Sequence, residues 1–145
     1  MSKSNAWETA LLNLVFNNTD AANIGDATGL QGSSTAGSLY VSLHTSDPGE
    51  AGSPSTNECA YTSYARVGVA RSGAGWTVSG NAVTNAALIQ FPQCTGSSET
   101  ATHFGIGTAS SGGTLLYKGA LSASLAISSG IQPQFGATTL SGSED

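Results

Sequence analysis

From residue 38 onward the chain is a succession of short alternating apolar runs cut by Gly, Ser, Pro and Asn clusters, with no helical stretch between them. That pattern confines the fold to antiparallel strands, because parallel neighbours need long crossovers, usually helical. Leu39, Val41 and Leu43 alternate with Tyr40, Ser42 and His44, a half-buried strand of about 20 Å at the usual rise per residue. Asp47-Pro48-Gly49 ends it as a turn with Pro in second position, and residues 47–60 form a long polar loop. Residues 64–71 give a second strand with Ala65, Val67 and Val69 on one face. The expected neighbour of this strand is a hairpin in which Trp76-Thr77-Val78 and Ala82-Val83-Thr84 flank the three-residue loop Ser79-Gly80-Asn81. Residues 88–91, 102–108, 115–118, 124–127 and 137–140 are further candidates, which makes about eight strands. Two packed antiparallel sheets follow, with a jelly roll preferred. An immunoglobulin-like sandwich ranks second, since Trp76 lies between two cysteines at a spacing that does not suit the usual buried disulfide. No repeat of fixed period is present, which argues against a solenoid or propeller.

One helix is expected, at the N-terminus. Trp7, Ala10, Leu11, Leu14 and Val15 fall on one amphipathic stripe, Asn5 with Glu8 makes a capping box, and the helix should close over Phe16 and stop near Asn17-Asn18. Residues 17–37 are rich in Asn, Asp, Gly, Ser and Thr, with Ile24 and Leu30 as their sizeable apolar anchors. Twenty such residues are long for an idle connection, so they read as an extended arm lying on a neighbouring subunit, or as an ordered surface loop. The organisation expected is helix and arm over 1–37 and a β-sandwich over 38–145, in one compact domain overall.

Composition narrows the function. Charged residues are 9% of the 145 positions, and Ser, Thr, Gly and Ala fill 77 of them. Charged residues usually approach a quarter of a soluble domain. Short uncharged side chains lose little rotamer entropy and little charge solvation when another protein covers them, which suits assembly. Four basic residues, Lys3, Arg66, Arg71 and Lys118, stand against nine acidic ones, so no positive field exists to hold a phosphate backbone. No apolar run is long enough to span a membrane, and no export signal pattern opens the chain, so synthesis in a cytoplasm is expected. In a reducing compartment Cys59 and Cys94 read as small buried hydrophobes, with a disulfide as the alternative.

The search for catalytic chemistry yields little. His44 stands near Ser42, Ser46 and Asp47, but Ser is so frequent that some Ser near any His is guaranteed, and a triad is not expected. Asp47, Glu50 and Glu58 share one polar loop and form a weak candidate for a divalent cation site, against a plainly solvated loop. Gly105-Ile106-Gly107 lacks the third glycine and the helix of a dinucleotide loop. No cofactor is expected. Trp76, Phe91, Phe104 and Phe135 lie in or beside β runs and read as core, whereas Trp7 anchors either its own core or another subunit. The side chains expected at contacts with other proteins are therefore Trp7 on the helix, Ile24 and Leu30 in the arm, and Asp47, Pro48, Glu50 and Glu58 in the loop.

The run from Leu39 to Ser53, with Thr56-Asn57-Glu58, Tyr61 and Tyr64-Ala65-Arg66-Val67 after it, resembles a family of small virion proteins of tailed bacteriophages, often labelled tail fibre proteins. Phe91-Pro92, the stretch from Thr102 to Gly107 and Gly119-Ala120-Leu121 are similar too, so the resemblance covers most of residues 1–140. The family in turn resembles jelly-roll cement proteins of the capsid exterior. The resemblance implies a non-enzymatic virion component. Its partners would be the major capsid protein and a second copy in a homodimer, with neither nucleic acid nor membrane. It would clamp the outside of the shell against packaged-DNA pressure, a tail-fibre or receptor-binding role being the alternative.

Overall fold

A computed structural model describes residues 1–144. Its elements in chain order are α1 (Asn5–Asn17), β1 (Ser38–His44), β2 (Val67–Ala70), β3 (Trp76–Ser79), β4 (Ala82–Asn85), β5 (Ile89–Gln90), β6 (Ser98–Gly107), β7 (Leu115–Ser128), β8 (Gln134–Phe135) and β9 (Ser141–Ser143). The chain is mainly β, with antiparallel sheets and one N-terminal helix, as its pattern predicts. The strands fall into three sheets, ordered β2-β1-β6-β7, β3-β4-β9 and β5-β8. Two compact units result. One gathers residues 1–37, 70–88 and the chain from 135 onward, and the other gathers residues 38–69 and 89–134.

In the first unit α1 starts at Ser4, whose Oγ accepts from the Trp7 amide at 3.4 Å. The cap is therefore one residue earlier than the expected Asn5. Glu8, Leu12 and Phe16 are the buried line of the helix, while Trp7, Ala10, Leu11, Leu14 and Val15 are only half-buried. The buried face is thus rotated from the expected stripe, and Trp7 is not a core residue. Phe16 meets Trp76 of β3 edge to face, with ring centroids 4.9 Å apart. The hairpin β3–β4 pairs Ser79 with Ala82, so its loop is the two residues Gly80-Asn81 and not three. Gly80 takes a φ of +61°, as a tight hairpin of this length demands. The hairpin is joined by β9 rather than by β2, which corrects the expected neighbour. Asn85 is fully buried and fully bonded: its Nδ2 donates to the carbonyls of Ala87 and Gly136, and its Oδ1 accepts from the Leu140 amide.

In the second unit β1 lies between β2 and β6, with Tyr40 opposite Gly107 and His44 opposite His103. The expected alternation fails at its end, because Ser42 and His44 are as buried as Leu43. The polar loop after β1 covers that second face: Thr56 bonds His44, and Pro54 lies against Gly107. Beyond Gly105 an added methyl group would meet Ser42 Oγ and His44 Nε2 at 2.7 Å, so glycine permits that packing. The runs expected at 115–118 and 124–127 are one 14-residue strand, β7. Cys59 and Cys94 are buried free thiols.

Candidate interaction surfaces

The loop after β1 is held by a buried ion pair. Arg66 Nε donates to Glu58 Oε1 at 2.6 Å and its Nη2 to Glu58 Oε2 at 2.8 Å, a bidentate fork. The same guanidinium donates to the carbonyls of Ala109 and Gly112 and to Ser55 Oγ. The Arg66 side chain is 3% exposed and the Glu58 side chain 16%. The Glu58 fork holds the guanidinium above its ordinary pKa. Tyr64 donates its hydroxyl to Glu58 and accepts from the Leu43 amide, and burial pushes its phenol well above the usual range. The segment read as the start of a strand at 64–66 is thus taken up by side-chain bonding, and β2 begins at Val67.

Asp47 and Glu50 take a different partner. Lys118 of β7 lies 3.1 Å from Asp47 Oδ1 and 3.0 Å from Glu50 Oε1, all three at the surface. The three carboxylates weighed as a cation site are directed to two different cations. Among the described residues no group of three or more His, Cys, Asp or Glu side chains is placed to hold a metal ion. Pro48, expected at a contact, is buried within the loop.

Ser42 and His44 are 2.8 Å apart at Oγ and Nε2. The Thr56 carbonyl, 2.8 Å from Nδ1, fixes the proton there, so Nε2 accepts from the serine hydroxyl. The pair looks like a nucleophile and its base, yet both side chains are fully buried and Asp47 is engaged with Lys118 at the surface. Burial holds His44 below its usual pKa, against the opposing pull of the Thr56 bond and the Glu58 charge. A buried neutral imidazole bonded at both nitrogens is a packing element of β1.

Of the two readings of residues 17–37, extended arm or ordered surface loop, the first unit shows the loop, closed in the Ω manner over residues 18–33. Asn18 joins its ends: its Nδ2 donates to the Ser33 carbonyl and its Oδ1 accepts from the Ser33 amide. Asp20 accepts from the Gly32 amide, and Ala21 exchanges both backbone bonds with Leu30 at 2.9 Å. Asp26 accepts from the amides of Thr28 and Gly29 and from the Thr28 hydroxyl, bonds that lower its pKa. Arg71 secures the base of the loop, donating to Ser33 Oγ and the Ala36 carbonyl while its other nitrogens cap the Leu14 and Val15 carbonyls near the end of α1. This loop leaves Ile24 40% and Leu30 43% exposed. Sequence reasoning located those two side chains and missed the residues that fix them, Asn18, Asp26 and Arg71. The available signal was the short Asx-type run Asp26-Ala27-Thr28-Gly29.

Fold and surfaces together define a class: a mainly β protein whose few cations hold loops in place and whose loop 18–33 presents apolar side chains to solvent. A family model described as Podophage GP4 fiber I protein gp80 matches residues 2–143. The chain belongs to that family, and is a structural protein of the bacteriophage virion. No curated protein matched the sequence.

Proposed function

We propose that the chain is a non-enzymatic structural subunit of a virion fibre, which works by protein–protein contact. The fibre description of a family model that spans residues 2–143 carries this reading. The surface supports it. Ile24 and Leu30 stand on a loop whose conformation is already fixed by Asn18, Asp20, Asp26 and Arg71, so a partner that covers them orders little further backbone. All four basic side chains are engaged within the chain: Lys3 with Glu144, Arg66 with Glu58, Lys118 with Asp47 and Glu50, and Arg71 with backbone carbonyls. That disfavours a nucleic acid partner, and the proposed partners are virion proteins, including further copies of this chain.

A second reading is a cement protein, bound as a homodimer to the major capsid protein on the outside of the shell and bracing it against packaged DNA. The absence of any fixed-period repeat in the sequence, which an elongated shaft would need, favours it. Immunogold labelling of intact virions separates the two. Label on fibres supports the proposal, and label distributed over the head overturns it in favour of cement.

A further inference from the structure

Two exposed carboxylates of the first unit, Asp20 and Asp26, have no cation. Asp47 and Glu50 face Lys118, Glu58 faces Arg66 and Glu144 faces Lys3, whereas among the described residues no basic side chain pairs with either of these two. Both stand on the loop over 18–33, which contains no Lys, Arg or His. Neither carboxylate is loose. Asp26 Oδ1 takes the amides of Thr28 and Gly29 and the Thr28 hydroxyl, and Asp20 Oδ1 takes the Gly32 amide at 2.7 Å. The second oxygen of each receives no hydrogen bond from the described residues and is left open.

These charges bracket the apolar display. Asp20 precedes Ala21, whose backbone exchanges both bonds with Leu30, and Asp26 lies two residues after Ile24. Ordinary surface ion pairs are weak partly because two long side chains must be ordered to make them. A carboxylate already immobilised, with one oxygen open, gains a charge-assisted bond without that cost. The surface that complements this loop is therefore cationic around an apolar recess. A second copy of this chain does not offer one, because its Lys3, Arg66 and Lys118 are paired with carboxylates and Arg71 is engaged by backbone carbonyls. Nucleic acid and anionic lipid carry the wrong sign. We infer that the loop over 18–33 docks on a different virion protein, with Ile24 and Leu30 entering an apolar recess whose rim of Lys or Arg side chains pairs with Asp20 and Asp26. The inference rests on the proposed reading that the chain works by protein–protein contact in the virion.

The test compares purified virions that carry the wild-type chain with virions that carry one of two variants. Asp20→Asn with Asp26→Asn removes both charges and keeps the oxygens that accept the loop amides, and unchanged hydrogen exchange at Gly29 and Gly32 verifies the loop. Ile24→Ser with Leu30→Ser removes the apolar contact. Copies retained per particle are counted by quantitative mass spectrometry after washes at about 0.1 to 1 M NaCl, over which the screening length falls from about 10 to 3 Å. The wild type should be released progressively as salt rises. The asparagine pair should be retained at least about tenfold less at the low-salt end, with a shallower salt dependence, and the serine pair should be retained less throughout. An asparagine pair retained like the wild type, or wild-type retention indifferent to salt, overturns the inference. Carbodiimide treatment of intact wild-type virions joins carboxylates to amines in contact, with the Asp47–Lys118 pair as internal control. A link from Asp20 or Asp26 to a lysine of another protein is the expected result, one to Lys3 or Lys118 of a second copy overturns the inference, and with no link the salt series decides. Should a double variant fail to fold, the wild-type salt series decides alone. Absence of the wild-type chain from virions would instead refute the proposed function, which keeps the two failures apart.

Discussion

At the scale of single residues, a few charged and polar side chains determine the course of the loops. Arg66 binds Glu58 with two nitrogens and closes on the carbonyls of Ala109 and Gly112. Arg66→Ala strands a largely buried carboxylate and two carbonyls, which should cost about 3–5 kcal/mol. Urea unfolding checks it, with a lower midpoint at unchanged slope expected and a loss below about 1 kcal/mol contradicting it. His44 makes a pH prediction. Burial lowers its pKa from the ordinary 6.5, with Glu58 pulling upward and Arg66 and His103 pushing downward. The unfolded chain therefore binds a proton that the folded chain resists, so stability is intact above about pH 6.5 and falls as the pH drops through and below it. His44→Gln should flatten that slope, and an unchanged slope between pH 7 and 5 would assign the dependence to other groups.

At the scale of elements, the loop over 18–33 depends on Gly29, whose φ is +63° and where an added Cβ would stand 2.1 Å from the Ala21 carbonyl oxygen. Gly29→Ala should part the Ala21–Leu30 bridge and accelerate hydrogen exchange at both amides, whereas unchanged protection would show that the bridge is not what closes the loop. Period and punctuation made β1, the hairpin and the single helix legible in the sequence. They failed where tertiary contact overrode pattern. Ser42 and His44 look like outward residues of an alternating strand, and only the loop folding back with Pro54 and Thr56 buries them. The helix stripe misled because Glu8, a charged residue, occupies a buried position beside Leu12 and Phe16. Arm and ordered loop stayed open as readings because closure depends on Asn18 and Asp20 reaching residues 15 and 12 positions ahead, for which no local signal exists. Asp47, Glu50 and Glu58 looked like one site because they are close in sequence, yet Lys118 and Arg66 draw them apart.

At the scale of the whole molecule, scarcity of charge combines with rigid apolar display. All four basic side chains are engaged within the chain, and the outward surface carries many short, uncharged side chains together with Ile24, Leu30, Leu88 and Ile131. Surfaces of this kind lose little on being covered, and many modest contacts add up when copies are arrayed on one particle. Family membership places such a chain in the phage virion, where arrays are the rule of construction. The most direct measurement is a cryo-electron microscopy reconstruction of the virion at a resolution that separates strands. The account predicts that this fold occupies fibre density with Ile24 and Leu30 against a neighbouring subunit, and fibre density lacking the fold, or the fold found only over the capsid shell, would contradict it.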